Sequence, residues 1–238
     1  MPFPARLGTI ADPATGTPLS TTLTRFVRAL AGLIAPPRCG VCALACELDE
    51  PICKACAADL ARSRGRFLSV PSADVAWSAT SYEDTAQRLV SALKFAGRLP
   101  LAGAAAEAIG ESIPAGLAAG AIVPVPPAPQ RRRNRGFDPT ALIASALASR
   151  LSLPYMPCLT RTDGPRQVGR ARRVRLADAP RITATVPSPE IATVIDDVTT
   201  TGATLTACAT ALRNGGSARV IAITFARTPG LAPGHLRA

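Results

Sequence analysis

The chain has 238 residues, 47% hydrophobic and 4% aromatic, and a formal net charge of +11. This length and composition suit one medium globular domain with a small one beside it and exclude a mostly disordered chain. No run of about 18 uninterrupted strongly apolar residues and no signal-peptide pattern occurs, so we expect a soluble cytoplasmic protein with no membrane span.

The amino-terminal region divides into two parts. Residues 1–20 mix Pro, Gly, Thr and Ala without periodicity, which predicts a flexible leader. The next stretch, "TTLTRFVRALAGLI", has a helical stripe of apolar residues: Leu23, Phe26, Val27, Leu30 and Leu33 or Ile34. We expect this helix to pack the following module onto the main domain; binding to a membrane surface is a weaker alternative.

Four cysteines are arranged as two C-x-x-C pairs. Cys39 and Cys42 form the first pair, Cys53 and Cys56 the second, and ten residues separate them. This spacing is typical of a closed tetrahedral Zn²⁺ site, which stabilises a small module and leaves no coordination position for catalysis. Disulfides, which a reducing cytosol disfavours, and an iron centre are the alternatives. The predicted helix and Cys₄ module together span residues 21–65.

Residues 69–228 alternate short apolar runs with Ala/Leu-rich stretches. Strands are predicted at 74–82, 120–126, 191–198 and 218–226, and helices at 83–96, 100–113, 138–151 and 204–216. Asp138 is the predicted N-cap of the third of these helices. The order predicts an α/β domain, a mostly parallel sheet flanked by helices, whose ligands bind beyond the carboxyl ends of the strands. Residues 229–238 repeat Pro and Gly and are predicted to be a flexible tail.

The stretch "VIDDVTTTGATLTACATAL" combines two acids with a hydroxyl-rich loop. We expect the strand to end at Ile195, the loop to run from Asp196 to Ala203, and the helix to begin near Thr204. Loop N–H groups, Thr hydroxyls and the helix dipole then form a cradle for a phosphate monoester. The paired acids suit neutral hydroxyls or a magnesium-bound ligand, so a sugar 5-phosphate with vicinal hydroxyls fits both halves. Neither common phosphate-loop motif is present.

Arginine carries most of the positive charge. Twelve arginines lie between Pro124 and Arg181, against three aspartates. Arginine matches phosphate oxygens in pairs, so the region predicts an anionic partner, either a polyphosphate or nucleic acid; a solvated surface is the simpler alternative. The single histidine, His235, lies in the predicted tail, which argues against histidine-dependent catalysis.

Several motifs in order resemble known families. "ATVIDDVTTTGAT", residues 192–204, resembles the signature of type I phosphoribosyltransferases. From Cys39 to Arg227 the chain resembles the ComF family of competence-related proteins, through "CGVC…CKAC", "ALKFAGR", "IVPVP", "RRRNRGFD" and "PRQVGRARR". Part of this order also resembles the synthase half of glutamine amidophosphoribosyltransferases.

The resemblance implies a type I phosphoribosyltransferase-like domain that binds 5-phosphoribosyl 1-pyrophosphate, or a related sugar phosphate, with Mg²⁺. Asp196 and Asp197 would hold the ribose hydroxyls as the catalytic acids. The implied 5-phosphate loop comprises Val198, Thr199, Thr200, Thr201, Gly202, Ala203 and Thr204. Residues 126–135 match the pyrophosphate loop, and residues 161–175 match the mobile loop. The candidates within these two segments are Pro126, Arg131, Arg135, Arg161, Arg170 and Arg173.

Two departures and one lysine bear on function. Family members commonly show Asn where this chain has Asp138, and the mobile region lacks an Asn often found there. Lys94 could reach a phosphate or DNA, although a lone helical lysine is more often solvated.

Two function classes remain open. The first is an enzyme that transfers the phosphoribosyl group to an unnamed acceptor and releases pyrophosphate. The second is a competence accessory factor that binds single-stranded DNA through its arginines and works with DNA-uptake proteins. The low aromatic content makes tight stacking of DNA bases on the protein a weaker expectation. A third, smaller alternative is a zinc module that only docks partners.

Overall fold

The structure is a computed structural model that describes residues 37–162, 180–230 and 234. The predicted leader, the helix predicted from residue 21, Arg170, Arg173 and His235 lie outside the described residues. The domain boundaries proposed from the sequence stay predictions.

Helices and strands alternate along most of the described chain. The helices are α1 Lys54–Arg62, α2 Asp84–Phe95, α3 Leu101–Ser112, α4 Pro129–Arg135, α5 Pro139–Leu151 and α6 Ala203–Asn214. The strands are β1 Arg66–Leu68, β2 Val75–Ser81, β3 Ala121–Pro124, β4 Leu159–Thr162, β5 Arg181–Ala184, β6 Ile191–Thr199 and β7 Arg219–Arg227.

Five strands form one sheet in the order β1-β2-β7-β6-β3. β2, β7, β6 and β3 pair in parallel, and only the short edge strand β1 is antiparallel to its neighbour. β4 and β5 pair separately as an antiparallel ladder. The predicted α/β class with a mostly parallel sheet is therefore confirmed.

The sheet lies between two apolar layers. On one face, residues of α2, α3 and α5 form a buried cluster with strand residues such as Ile195 and Ile223. On the other face, α6 and β4 pack against Val194 and Ala222. Cys158 and Cys208 are buried in this second layer, as expected for small apolar side chains.

The cysteine module packs directly on the main domain. Cys39, Ile52, Cys56 and Leu60 belong to the same buried cluster as α2 and α3. A Cβ added at Gly40 would stand 2.7 Å from Leu101 Cδ2 in α3, so this position requires a glycine for close approach. The module and the sheet domain thus share one hydrophobic core.

β6 ends at Thr199, close to the end of the strand predicted at 191–198, but the prediction that a loop begins at Asp196 is wrong. The strand continues beyond Ile195 to Thr199, and α6 begins at Ala203, so the connecting turn is only Thr200 to Gly202. Acids are poor strand formers, but here Asp196 pairs in register with Thr224 of β7. The two acids therefore lie within the strand, not in a loop.

Five further elements, the strand β1 among them, escaped the sequence prediction. The arginine-rich segment after β3 forms the short helix α4, with Pro129 in its first turn, and not only a loop. Helix α1 and the β4–β5 pair were also not predicted, because their segments are too short for a clear periodicity. Across the described ranges, no helix is both long enough and apolar enough to cross a membrane.

Candidate functional site

Asp197 lies near the carboxyl end of β6, between two helices of one sheet face. Its Oδ1 is 2.7 Å from Lys94 Nζ, at the end of α2. Thr140 Oγ1, at the start of α5, donates a hydrogen bond of 3.3 Å to its Oδ2. Only 9% of the Asp197 side chain and 18% of the Lys94 side chain are exposed. This is a largely desolvated ion pair, held on both carboxylate oxygens.

Packing of α2 explains how Lys94 reaches this acid. Ala86, Leu89, Val90 and Leu93 form the buried face of the helix against the sheet. Lys94 follows the last of these in the final turn, where a cation also interacts favourably with the helix dipole. Its ammonium group therefore enters the site beside the core, and the expectation of a merely solvated lysine is wrong.

Asp196 has a different environment from its neighbour. Consecutive side chains of a strand point to opposite faces of the sheet. Burial, followed by repulsion from Asp197, raises the pKa of Asp196 to about 7, and Lys94 opposes this only in part. Its Oδ1 accepts a hydrogen bond of 2.9 Å from Asp197 N–H. At neutral pH Asp196 is therefore only partly ionised.

Asp196 also influences the α6 face. Burial, and then the Asp196 charge, raise the pKa of the Cys208 thiol in α6. Arg161 has the opposite influence on the same thiol. The side chains of the two acids thus interact with groups on different faces of the sheet. Their adjacency in the sequence does not reveal this difference.

The predicted phosphate loop forms the short turn between β6 and α6. Thr200, Thr201 and Ala203 are exposed, Thr204 is half-buried, and Gly202 takes a left-handed conformation with φ of 76°. Ala203 N–H donates to Thr201 Oγ1 at 3.4 Å. Val198 and Thr199 belong to β6 itself. The exposed hydroxyls and first N–H groups of α6 form a surface suited to an anion.

The arginines predicted for the pyrophosphate loop lie on α4. Arg131 is exposed, whereas the guanidinium of Arg135 lies 5.2 Å from the ring centroid of Phe95. Pro126 is buried just after β3. The structure therefore brings Arg135 close to Phe95, at the end of α2.

Arg161 lies in a strand. It belongs to β4, where it pairs with Ile182 of β5, at the point where the chain leaves the described range. The remaining mobile-loop candidates, Arg170 and Arg173, lie outside the described residues.

Asp138 has the predicted capping role. Its Oδ1 accepts hydrogen bonds from the N–H groups of Thr140 at 3.0 Å and Ala141 at 3.2 Å. Burial raises its pKa, the capping bonds oppose the rise, and repulsion from Asp197 adds to it. The cap orients the first turn of α5, from which Thr140 contacts Asp197.

The four predicted cysteine ligands come together. Their Sγ atoms all lie within 4.8 Å of one another; Cys39 to Cys56 is 3.8 Å and Cys42 to Cys53 is 3.6 Å. Zn–S bonds of about 2.3 Å in a tetrahedron require sulfur atoms about 3.8 Å apart, so the cluster could hold a metal ion such as zinc. Burial disfavours the Cys39 thiolate, but N–H donors, including those of Cys42 and Val41, outweigh it and lower its pKa to about 6.

Sequence reasoning missed two contributors to the acid site. Thr140 was not singled out, and Lys94 was not assigned to Asp197. Lys94 is 103 residues from Asp197 in the chain, so no local spacing connects them. The available signals were the position of Lys94 at a helix end and that of Thr140 after a capping aspartate.

Comparison with known proteins finds solved structures that resemble part of this chain. No protein-family model and no curated protein matches the chain. One similar solved structure is the allosteric regulatory enzyme of purine biosynthesis, at 18% identity and a TM-score of 0.35, covering 52% of this chain and 24% of that one. Another is the glutamine phosphoribosylpyrophosphate amidotransferase of B. subtilis complexed with ADP and GMP, at 18% identity and a TM-score of 0.34. This second match covers 52% of this chain and 25% of the enzyme. This chain therefore spans about a quarter of the length of each of the two proteins.

Proposed function

We propose that this is a ComF-like protein with a phosphoribosyltransferase-like domain that binds 5-phosphoribosyl 1-pyrophosphate with Mg²⁺. We further propose that it transfers the phosphoribosyl group to an acceptor and releases pyrophosphate. The signature in residues 192–204 suggests this chemistry, and the geometry of β6, its turn and α6 supports it.

The position of Asp197 carries the proposal. A charged carboxylate lies at the carboxyl edge of a mostly parallel sheet, three residues before a turn with exposed Thr hydroxyls and helix N–H groups. The turn suits a phosphate, and the carboxylate suits sugar hydroxyls. In this proposal the Asp197 carboxylate accepts hydrogen bonds from the ribose hydroxyls. The neighbouring Asp196, whose side chain points to the other face of the sheet, helps to hold Asp197 in position.

Magnesium would enter with the substrate. Across the described ranges, the only group of three or more His, Cys, Asp or Glu side chains arranged to hold a metal is the Cys₄ cluster. Asp196 has a raised pKa and Asp197 is paired with Lys94, so neither offers a free carboxylate for an all-protein site. Mg²⁺ commonly binds through substrate phosphates and keeps several waters, which fits this chain better.

The chemistry needs charge neutralisation more than a strong base. The C1–O bond to pyrophosphate breaks and its electron pair leaves with the pyrophosphate, while an acceptor lone pair forms the new bond to C1. An acceptor N–H proton is then released to solvent. Arg131 and Arg135 on α4 would meet the leaving group, and oriented binding would supply much of the rate.

Isothermal titration calorimetry with 5-phosphoribosyl 1-pyrophosphate tests the proposal. Wild type should bind the ligand more tightly with Mg²⁺ than without it. Asp197→Ala should weaken binding about tenfold or more, because it removes a charge-assisted acceptor. Asp59→Ala, at a half-buried acid on α1 that pairs with Arg62, is the matched control and should bind like wild type. Absence of wild-type binding, or equal binding by Asp197→Ala, contradicts the site assignment.

The single-stranded DNA alternative is not favoured. The exposed arginines of α4 suit nucleic acid and pyrophosphate equally, so they do not separate the two functions. A binding series with a DNA oligonucleotide at rising salt checks this alternative. Affinity that changes little between low and moderate salt would contradict arginine-driven DNA binding.

A further inference from the structure

A groove runs between α1 of the cysteine module and α3 of the sheet domain. Its volume is about 570 Å³, and residues 49–52 extend its lining before α1. Ala57 and Ala61 line it from α1, one helical turn apart, and Ala104 and Ala108 line it from α3 with the same spacing. Ala57 and Ala61 are exposed although they are apolar. Small side chains on both walls let another helix approach closely, so the groove can receive an apolar helix face.

The groove is acidic, although the chain as a whole carries a net charge of +11. Four acids line it: Asp49, Glu50, Glu107 and Glu111. Lys54 is the only cation in the described part of the lining. Arg150 is 3.8 Å from both Glu107 and Glu111, and each of these acids keeps 56% of its side chain exposed, so these pairs are weak. The groove therefore favours an occupant with a positive charge.

Residues 21–34, which lie outside the described residues, have the complementary chemistry. The predicted helix has one apolar stripe: Leu23, Phe26, Val27 and Leu30. Arg25 and Arg28 are the only charged residues of the segment, so it carries a formal charge of +2. Its apolar stripe suits the alanine-lined walls, and its charge is opposite to that of the groove.

The segment is also tethered to the edge of the groove. The two prolines that follow Ala35 end the predicted helix just before the cysteine module. Gly40 N–H donates a hydrogen bond of 2.9 Å to the carbonyl of Pro51, which lines the groove. A tether from Ala35 to Gly40 spans at most about 20 Å. It therefore keeps the helix at a high effective concentration beside the groove, with which a free partner of the same chemistry would have to compete.

We propose that residues 21–34 dock as an amphipathic helix in the groove between α1 and α3 of the same chain. The apolar stripe inserts between the two alanine-lined walls and withdraws them from water. This contact joins the cysteine module to the sheet domain in addition to the core that they share. The inference does not depend on the proposed function, because neither Asp197 nor the β6–α6 turn lines the groove.

Hydrogen–deuterium exchange of the full chain, read by mass spectrometry, tests the docking. An isolated helix of this length is marginal in water, so strong protection of the amides in residues 21–34 requires a packing partner. Wild type should exchange these amides at least about tenfold more slowly than Phe26→Asp, because the new carboxylate cannot be buried in an apolar contact.

Ala57→Arg blocks the docking from the side of the groove. Its long cationic side chain fills space between the walls and repels the segment, so residues 21–34 should exchange about as fast as in Phe26→Asp. Ala58→Arg is the matched control, because Ala58 is equally exposed on α1 but does not line the groove. In this variant the exchange should match wild type. Zinc content and thermal unfolding check that both variants keep the module intact.

The expected result is slow exchange that is lost in Phe26→Asp and Ala57→Arg, kept in Ala58→Arg, and independent of protein concentration. Fast exchange of residues 21–34 in wild type overturns the proposal, as does slow exchange that Ala57→Arg leaves unchanged. Protection that grows with protein concentration shows that the groove takes the segment of a second copy, and the docking within one chain is then wrong. Protection that requires vesicles of anionic lipid shows that the segment binds a membrane surface instead.

Discussion

At the residue scale, the central contact of this protein is the ion pair between Lys94 and Asp197. It joins the end of a helix to a strand at a distance of 2.7 Å, and both side chains are largely withdrawn from water. Breaking one partner of such a pair leaves an uncompensated charge, which costs more than the intact pair contributes. The site acid is thus also a structural group.

Lys94→Met should lower the free energy of unfolding by about 2 kcal/mol, because Asp197 then remains buried without its cation. Urea unfolding measures the change. In Lys94→Met/Asp197→Asn the second substitution should restore part of the loss, since the stranded charge is removed. Lys54→Met is the matched control: its partner Glu47 is exposed, so the change should stay within about 0.5 kcal/mol. Equal losses for the two lysines would contradict a buried pair.

Asp196 should make stability depend on pH. Its pKa is raised to about 7 by burial, whereas an unfolded aspartate titrates near 4. Between these values the folded state holds a proton that the unfolded chain has released, so stability falls as pH rises through this window. Asp196→Asn should therefore become more stable relative to wild type from pH 5 through about pH 7, and this gain should level off by pH 8.

Urea unfolding at pH 5, 6, 7 and 8 checks this dependence. Asp59→Asn is the control, because hydrogen bonds from Thr85 and Arg62 lower the Asp59 pKa and confine its contribution to lower pH. A constant difference between Asp196→Asn and wild type across the series would show that Asp196 is not protonated in the folded protein.

At the element scale, the turn between β6 and α6 depends on one glycine. Gly202 has φ of 76°, and a Cβ there would meet only Val70 Cγ2 at 3.9 Å. Its requirement is thus one of backbone conformation, not of space. The turn presents Thr200 and Thr201 only while this conformation is held.

Gly202→Ala should lower the free energy of unfolding by about 1–2 kcal/mol, because an L-residue is strained in the left-handed region. Gly103→Ala is a matched control on α3, where an added Cβ meets nothing within 4 Å. That variant should gain up to about 1 kcal/mol from helix propensity. Chemical denaturation compares the two, and equal signs would contradict the role assigned to the turn.

At the scale of the whole molecule, the cysteine module and the sheet domain share a core. Cys39, Cys56 and Leu60 are buried in the cluster that contains Leu89 and Ile195. Loss of the metal should therefore disturb more than the module.

Metal analysis should find about one zinc per chain, and a chelator should lower the unfolding temperature of the whole protein in one transition. Cys56→Ser should lose the metal and show the same destabilisation. Cys46→Ser is the control, because Cys46 lies in the module but outside the four-cysteine cluster. Full zinc retention by Cys56→Ser would contradict the assigned ligand set.

Local sequence patterns predicted the elements well where periodicity was long. The helices α2, α3, α5 and α6 and the strands β2, β3, β6 and β7 lie within a few residues of their predicted ranges. Prediction failed where an element was short, as in α4, or where pairing outweighed residue preference, as at Asp196 in β6. The Cys₄ cluster was predictable because its spacing is local.

The sequence by itself determined the α/β order, the four-cysteine cluster, the Asp138 cap and the acids followed by a Thr-rich turn, because each depends on residues close together in the chain. Only the tertiary structure decided that Lys94 and Thr140 hold Asp197 and that Arg135 meets Phe95. It also separated Asp196 from Asp197 in environment, since burial and charge there come from distant elements packed around one strand.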